Sequence, residues 1–273
     1  MSETDRPGVA LVTGSSSGIG AAFANALAAR GYDLIVVARR RERLEALAGS
    51  LRRGKGVAVE VLVADLSEAA ELRRVEIRVA EEERLTLLVN NAGLGGIRPF
   101  LEMDHDYIRG MIAVNITALT LLTYAALPGM LRRGRGTVIN LASGLAFLPR
   151  SGTAVYGSTK AFVAHFTQTL HQEYAGQGIR FQALLPGLTR TELGAGQNTV
   201  SFDHLPPDQI NTPEKAVEES LAGLELGELM CIPGLEDLDA WKKADRAVKE
   251  VMQSVSSGTL AQRYRRFLKS EER

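Results

Sequence analysis

Short runs of branched apolar residues alternate with longer amphipathic stretches along most of this chain. The runs are Val9–Thr13, Leu34–Ala38, Val57–Val63, Leu87–Asn90, Thr137–Leu141, Ile179–Leu185 and Leu229–Ile232. Most are nearly continuous in Val, Ile and Leu, the composition of strands covered on both faces. Between them lie helical patterns such as "AAFANALAARG", which stops at Gly31, and "SEAAELRRVEIRVAEEERL". Strand–helix alternation calls for right-handed crossovers and a doubly wound parallel sheet, here of about seven strands with helices on both faces. At 273 residues and 45% hydrophobic, the chain can bury one substantial core. Residues 1–273 therefore read as a single α/β domain.

Two stretches depart from the alternation. Residues 188–213 are rich in Gly, Pro, Asn and Thr and too long for an ordinary connection, so they are expected to form a lid over the substrate. Residues 235–273 form a helical extension. In it Val248, Val251, Met252 and Val255 share one helix face, which is expected to pack on the body or on a partner.

Composition removes several classes of function. The formal net charge is zero, so nothing points to nucleic acid. Cys231 is the single cysteine, which excludes an internal disulfide and a cysteine-rich zinc site; its setting, "LMCIPG", reads as buried strand. The four histidines show no metal-binding spacing. No run of about 18 uninterrupted apolar residues occurs, so no membrane span is expected. "MSETDRPG" lacks the basic start and apolar run of a signal peptide, and the expected location is cytoplasmic.

The first strand runs into "TGSSSGIG", Thr13–Gly20, and then into a helix. Gly14, Gly18 and Gly20 let backbone approach a ligand closely. Free N–H groups and the dipole at the helix start attract phosphate. At the end of the second strand an acid would bind a ribose 2′-hydroxyl. The sequence there is "VVARRRERL", with Arg39 in the acid's place, Arg40 and Arg41 after it, and no acid before Glu42; Asp33 is at the wrong end of the strand. A helix start disfavours cations, whereas a guanidinium suits a 2′-phosphate. The expected cofactor is NADP(H), bound about tenfold or more tightly than NADH at low salt, with Arg39→Asp reversing the preference. Asp65, in "VADLS", is placed to accept from an adenine amine or to cap the following helix.

"YGSTK" sets Tyr156 and Lys160 four residues apart, so on a helix they lie side by side. Protonating a forming alkoxide calls for an acid, and a free tyrosine has a pKa of about 10. A neighbouring ammonium is expected to lower it.

Taken in order, "TGSSSGIG", "NNAG" at Asn90–Gly93, Asn115 in "VNITAL", Ser143 in "NLASG" and "YGSTK" resemble the short-chain dehydrogenase/reductase family across about residues 8–234. That resemblance implies a Rossmann-type fold, a nicotinamide cofactor and hydride transfer between NADP(H) and a carbonyl/alcohol pair. The family's catalytic residues match Asn115, Ser143, Tyr156 and Lys160. Ser143 is then expected to hold the substrate oxygen, and Asn115 to order a water linking Lys160 to solvent. Cofactor contacts are implied for Gly14, Ser16, Ser17, Gly18, Ile19 and Gly20 at the turn, and for Arg39, Arg40, Asp65 and Leu66 around the adenosine. Around the nicotinamide they are implied for Asn91, Ala92, Gly93, Tyr156 and Lys160. "LLPGLTRTEL" adds Pro186, Gly187 and Thr189, the last toward the carboxamide. No metal is implied. Phe100, Phe147 and Leu148 are candidate pocket walls, and Arg98 and Arg150 are possible anion contacts. The family, and the several apolar sides of "AFVAHFTQTLHQEY", both imply a homodimer or homotetramer. Three readings compete with an NADPH-dependent carbonyl reductase: an NAD-dependent alcohol dehydrogenase, a nucleotide-sugar epimerase or dehydratase, and a non-catalytic cofactor-sensing module.

Overall fold

The computed structural model describes residues 7–193, 206, 209–255, 258 and 261–268. The chain divides into two compact units, Met1–Pro233 and Gly234–Arg273. In the first, seven strands form one sheet: β1 (Val9–Thr13), β2 (Asp33–Ala38), β3 (Val59–Val63), β4 (Leu85–Asn90), β5 (Gly136–Leu141), β6 (Ile179–Leu184) and β7 (Met230–Cys231). Their order is β3-β2-β1-β4-β5-β6-β7. Every neighbouring pair is parallel. β1, β2 and β5 are buried at every position, which is why their sequences show no polar alternation.

Helices cover both faces. α1 (Gly18–Ala29), α2 (Arg41–Lys55) and α7 (Pro213–Glu225) bury one cluster, built around Phe23, Leu27, Leu44 and Leu221. On the other face α3 (Ala69–Glu81), α5 (Leu119–Arg132) and α6 (Ala154–Glu173) bury a second, around Leu72, Val75, Leu122 and Leu170. α4 (His105–Ile112) runs through a π-helical turn, Ala113–Ala118, into α5. By length and composition the continuous helix His105–Arg132 could cross a membrane, and half of its apolar window is buried in this fold. The second unit contains α8 (Leu238–Ser254) and α9 (Gln262–Leu268). Val248, Val251, Met252 and Val255 of the expected apolar face are exposed.

The strand order reverses between β1 and β4. Connections from their carboxyl ends diverge there, leaving a crevice in which open α/β sheets bind ligands. Asp33 stands at the opposite end of β2, where it accepts from Arg84 at 2.6 Å and from Ala58 N at 2.9 Å, and so braces the floor of the sheet.

Candidate active site

The crevice opens into a cleft of about 730 Å³. It runs from Arg39 and Asp65 at one end, past the glycine turn, to Tyr156 and Lys160 at the other.

The turn is locked from below. Thr13 Oγ1 accepts from the backbone N–H groups of Asn91 and Ala92, each at 2.9 Å. Asn91 Nδ2 returns a bond to Thr13 O at 2.8 Å. Gly14 and Gly18 have φ of +68° and +54°, the left-handed region that glycine enters without strain. A methyl group on Gly14 would stand 2.7 Å from Asn91 Nδ2, so this glycine serves the junction of the two loops as well as the ligand.

At the adenosine end the arginines divide. Arg39 is largely exposed and lies 3.5 Å from Asp65. Asp65 accepts from Ser67 N at 3.0 Å and Ser67 Oγ at 2.7 Å in a tight turn ahead of α3, whose cap position is Glu68. It therefore lines the cleft without capping the helix. Bonds from Ser67 and the Arg39 charge together hold its carboxyl below the ordinary value, although burial opposes them. Arg40 points to the turn instead. Its Nη2 donates to Ser16 Oγ at 2.9 Å and Ser17 Oγ at 2.7 Å, and its Nη1 to Glu192 at 2.6 Å. Arg43, in the first turn of α2, donates to both oxygens of Glu192 at 2.8 Å. Sequence reasoning missed Arg43 and Glu192. The two are 149 residues apart, and no local pattern links them.

At the chemical end, α6 places Tyr156 and Lys160 on one face, with Lys160 Nζ 5.7 Å from the centre of the Tyr156 ring. Lys160 is almost wholly buried and donates to Leu141 O at 2.6 Å. Burial pushes its amine down to about 8. Burial also raises the Tyr156 phenol, with a Ser143 hydrogen bond pulling the other way. The phenol is thus raised, where a lysine-lowered phenol was expected. The ammonium is spent on a carbonyl, and desolvation dominates. Ser143, two residues beyond β5, caps the short turn Gly144–Ala146, its Oγ accepting from Leu145 N at 3.2 Å.

Asn115 sits in the π-helical turn, a local widening often found at functional sites. Its Oδ1 accepts from Leu94 N at 2.8 Å, and its Nδ2 donates to Leu94 O at 2.9 Å and Thr159 Oγ1 at 3.0 Å. Both Nδ2 hydrogens are used, clamping the Asn91–Gly95 loop to α6, while Oδ1, with one bond accepted, keeps a second lone pair.

Beyond β6, Pro186 lines the cleft. Thr189 is buried, donates to Gly187 O at 3.1 Å and pairs with Asn211. The segment Thr191–Leu193 faces the cleft instead. Residues 194–205 and 207–208 of the expected lid lie outside the described residues. The expected pocket walls Phe100, Phe147 and Leu148 are exposed and do not line the cleft; Leu94, Met103, Tyr107 and Leu193 do, together with Arg98. Tyr107 is fixed by its hydroxyl, which donates to Gly95 O at 2.6 Å, and by Asp104, which accepts from Tyr107 N at 3.0 Å as the cap of α4. The D-x-x-Y spacing of that cap was the available sequence signal. Arg150 lies outside the cleft. Cys231 is buried in β7 and, as expected, part of the core; burial raises its thiol to about 12. Among the described residues no cluster of His, Cys, Asp or Glu is arranged to hold a metal.

Residues 8–200 match the short chain dehydrogenase family. The chain belongs to that family. A short-chain dehydrogenase from Sphingobium yanoikuyae in complex with NADPH superimposes with a TM-score of 0.89 at 39% identity, covering 94% of this chain and 100% of that one. The bulky-bulky ketone specific alcohol dehydrogenase from Comamonas testosteroni gives a TM-score of 0.86 at 34% identity, over 94% and 98%. Human inactive hydroxysteroid dehydrogenase-like protein 1 is 33% identical over 191 residues, 69% of this chain and 58% of that protein. The match thus spans a little over half the length of this curated relative. This short-chain dehydrogenase accordingly has the family's seven-stranded Rossmann-type sheet.

Proposed function

We propose that this protein is an NADP(H)-dependent carbonyl reductase acting on ketones. The observation that carries the reading is that Tyr156, hydrogen-bonded by Ser143, and Lys160, bonded to Leu141 O at the end of β5, line the same cleft as the glycine turn. The residues fit the cofactor. Gly187 has no heavy atom within 4 Å of where a side chain would begin, which leaves open space there, whereas a methyl on Gly93 would crowd Asn115 Oδ1 at 3.3 Å and stand 3.7 Å from Lys160 Nζ, so only glycine fits beside the lysine. The Arg40–Arg43 pair offers donors suited to a phosphate. Neighbours described as an NADPH complex and as specific for ketones support the same reading.

When bound, the nicotinamide supplies the hydride. Tyr156 supplies the proton: its raised pKa keeps the phenol protonated at neutral pH, the form required for reduction. As the carbonyl oxygen becomes an alkoxide, the Tyr156 O–H bond breaks and the new alcohol O–H forms. Ser143 donates to the same oxygen and holds it beside the phenol. Lys160 offers an ammonium near the resulting phenolate, which it stabilises. NADPH oxidation followed by absorbance over a panel of ketones tests the reading. Turnover with none of them, together with tight NADPH binding, would instead favour the cofactor-sensing module, a reading that the existence of an inactive relative keeps in view.

Self-association belongs to the same proposal. Phe162 is 37% exposed and stacked on Phe166 at 5.6 Å, and the helix His105–Arg132 exposes Ile112, Leu121 and Tyr124. A two-fold partner would cover such faces. Light scattering on dilute, active protein that gave a monomer mass would refute it.

A further inference from the structure

We propose that Glu192 is a built-in occupant of the 2′-phosphate subsite and sets how strongly this chain prefers a 2′-phosphorylated cofactor. The inference deepens the cofactor reading and rests on it. Glu192 is held by two guanidiniums, from Arg40 at 2.6 Å and Arg43 at 2.8 Å to each oxygen. Arg40 is itself oriented by Ser16 and Ser17 of the glycine turn. A planar anion between two arginines, beside the phosphate-binding turn and at the end of β2, is the arrangement a 2′-phosphate would meet. The glutamate is also held in place from both sides. A methyl on Gly18 would stand 3.2 Å from Thr191, and one on Gly95 would stand 3.3 Å from Leu193. The residues flanking Glu192 are therefore packed against the two walls of the cleft, and its carboxylate is directed at the arginines.

The two guanidiniums hold the Glu192 carboxyl at about 2, so it is ionised at any working pH. A dianionic phosphate entering the clamp must displace it, because like charges at that separation repel. A ligand with a bare ribose diol need not. Glu192 thus competes with the phosphorylated cofactor and leaves the unphosphorylated one nearly untouched.

Calorimetric titration of adenosine 2′,5′-bisphosphate and 5′-AMP isolates the 2′-phosphate without turnover. Glu192→Gln should bind the bisphosphate about 3- to 30-fold more tightly than wild type at low salt, and 5′-AMP within about twofold. Glu192→Ala should behave alike, which separates loss of charge from the choice of replacement. Bisphosphate affinity that is unchanged or weakened in both variants overturns the proposal. A wild type with no preference for the bisphosphate, alongside a variant that acquires one, supports the proposal and refutes NADP(H) as the wild type's cofactor. No preference in either protein sinks both.

Discussion

The two ends of the cleft are built on opposite physical principles. At the chemical end the key groups are buried and hydrogen-bonded to neutral partners: Asn115 to Leu94 and Thr159, Thr159 to the carbonyl of Tyr156 at 2.8 Å, Lys160 to Leu141. At the adenosine end they are exposed ion pairs: Arg39 with Asp65, Arg40 and Arg43 with Glu192. Buried polar contacts are expensive to disturb, because a group that loses its partner has no water to turn to. Exposed pairs are each worth little and weaken with salt. One end is therefore suited to holding a fixed geometry, the other to exchanging one anion for another.

Substitutions at the chemical end should have the larger effects. Tyr156→Phe should keep NADPH binding and lower kcat about 10²- to 10⁴-fold, measured as NADPH oxidation with the best ketone. Near-normal turnover would remove the phenol from the mechanism. Lys160 gives a pH test. Its amine sits at about 8 in the fold, well below its unfolded value. Between those two values the unfolded chain binds more protons, so stability rises with pH across that window. Lys160→Met removes the titration. Wild type should therefore gain up to about 3 kcal/mol relative to the variant between pH 7 and pH 10.5, read from paired denaturant melts. A stability gap independent of pH would mean that the buried amine keeps its ordinary pKa. Asn115→Ala leaves Leu94 N–H and C=O without their partners and should lower stability by about 2–3 kcal/mol.

The adenosine end should answer more gently. Arg43→Ala should weaken NADPH binding about three- to tenfold at low salt, with little change for NADH and a gap that closes as salt rises. Arg39→Ala should change NADPH affinity by about twofold or less, because Arg39 faces Asp65 and solvent. If Arg39 proved the stronger determinant, the division of roles between the arginines would be reversed, in line with the expectation drawn from sequence alone.

Much of this was legible before any coordinates. All seven apolar runs match the strands to within two residues at each end, because a strand buried on both faces must be apolar throughout; β7 is a shorter piece of the seventh, Leu229–Ile232. Tyr156 and Lys160 were paired by helical spacing, and the glycine turn by its place after β1. These are local signals, written within a few residues of each other. What the tertiary structure decided was long-range: that Asn115 clamps Leu94, that Arg40 and Arg43 meet Glu192 while Arg39 meets Asp65, that Leu94, Met103 and Tyr107 line the cleft while Phe100, Phe147 and Leu148 face solvent, and that burial raises the Tyr156 phenol. Each depends on which remote segment comes to lie beside a side chain and on how much water is left around it. Periodicity and composition carry neither quantity; only the folded packing sets them.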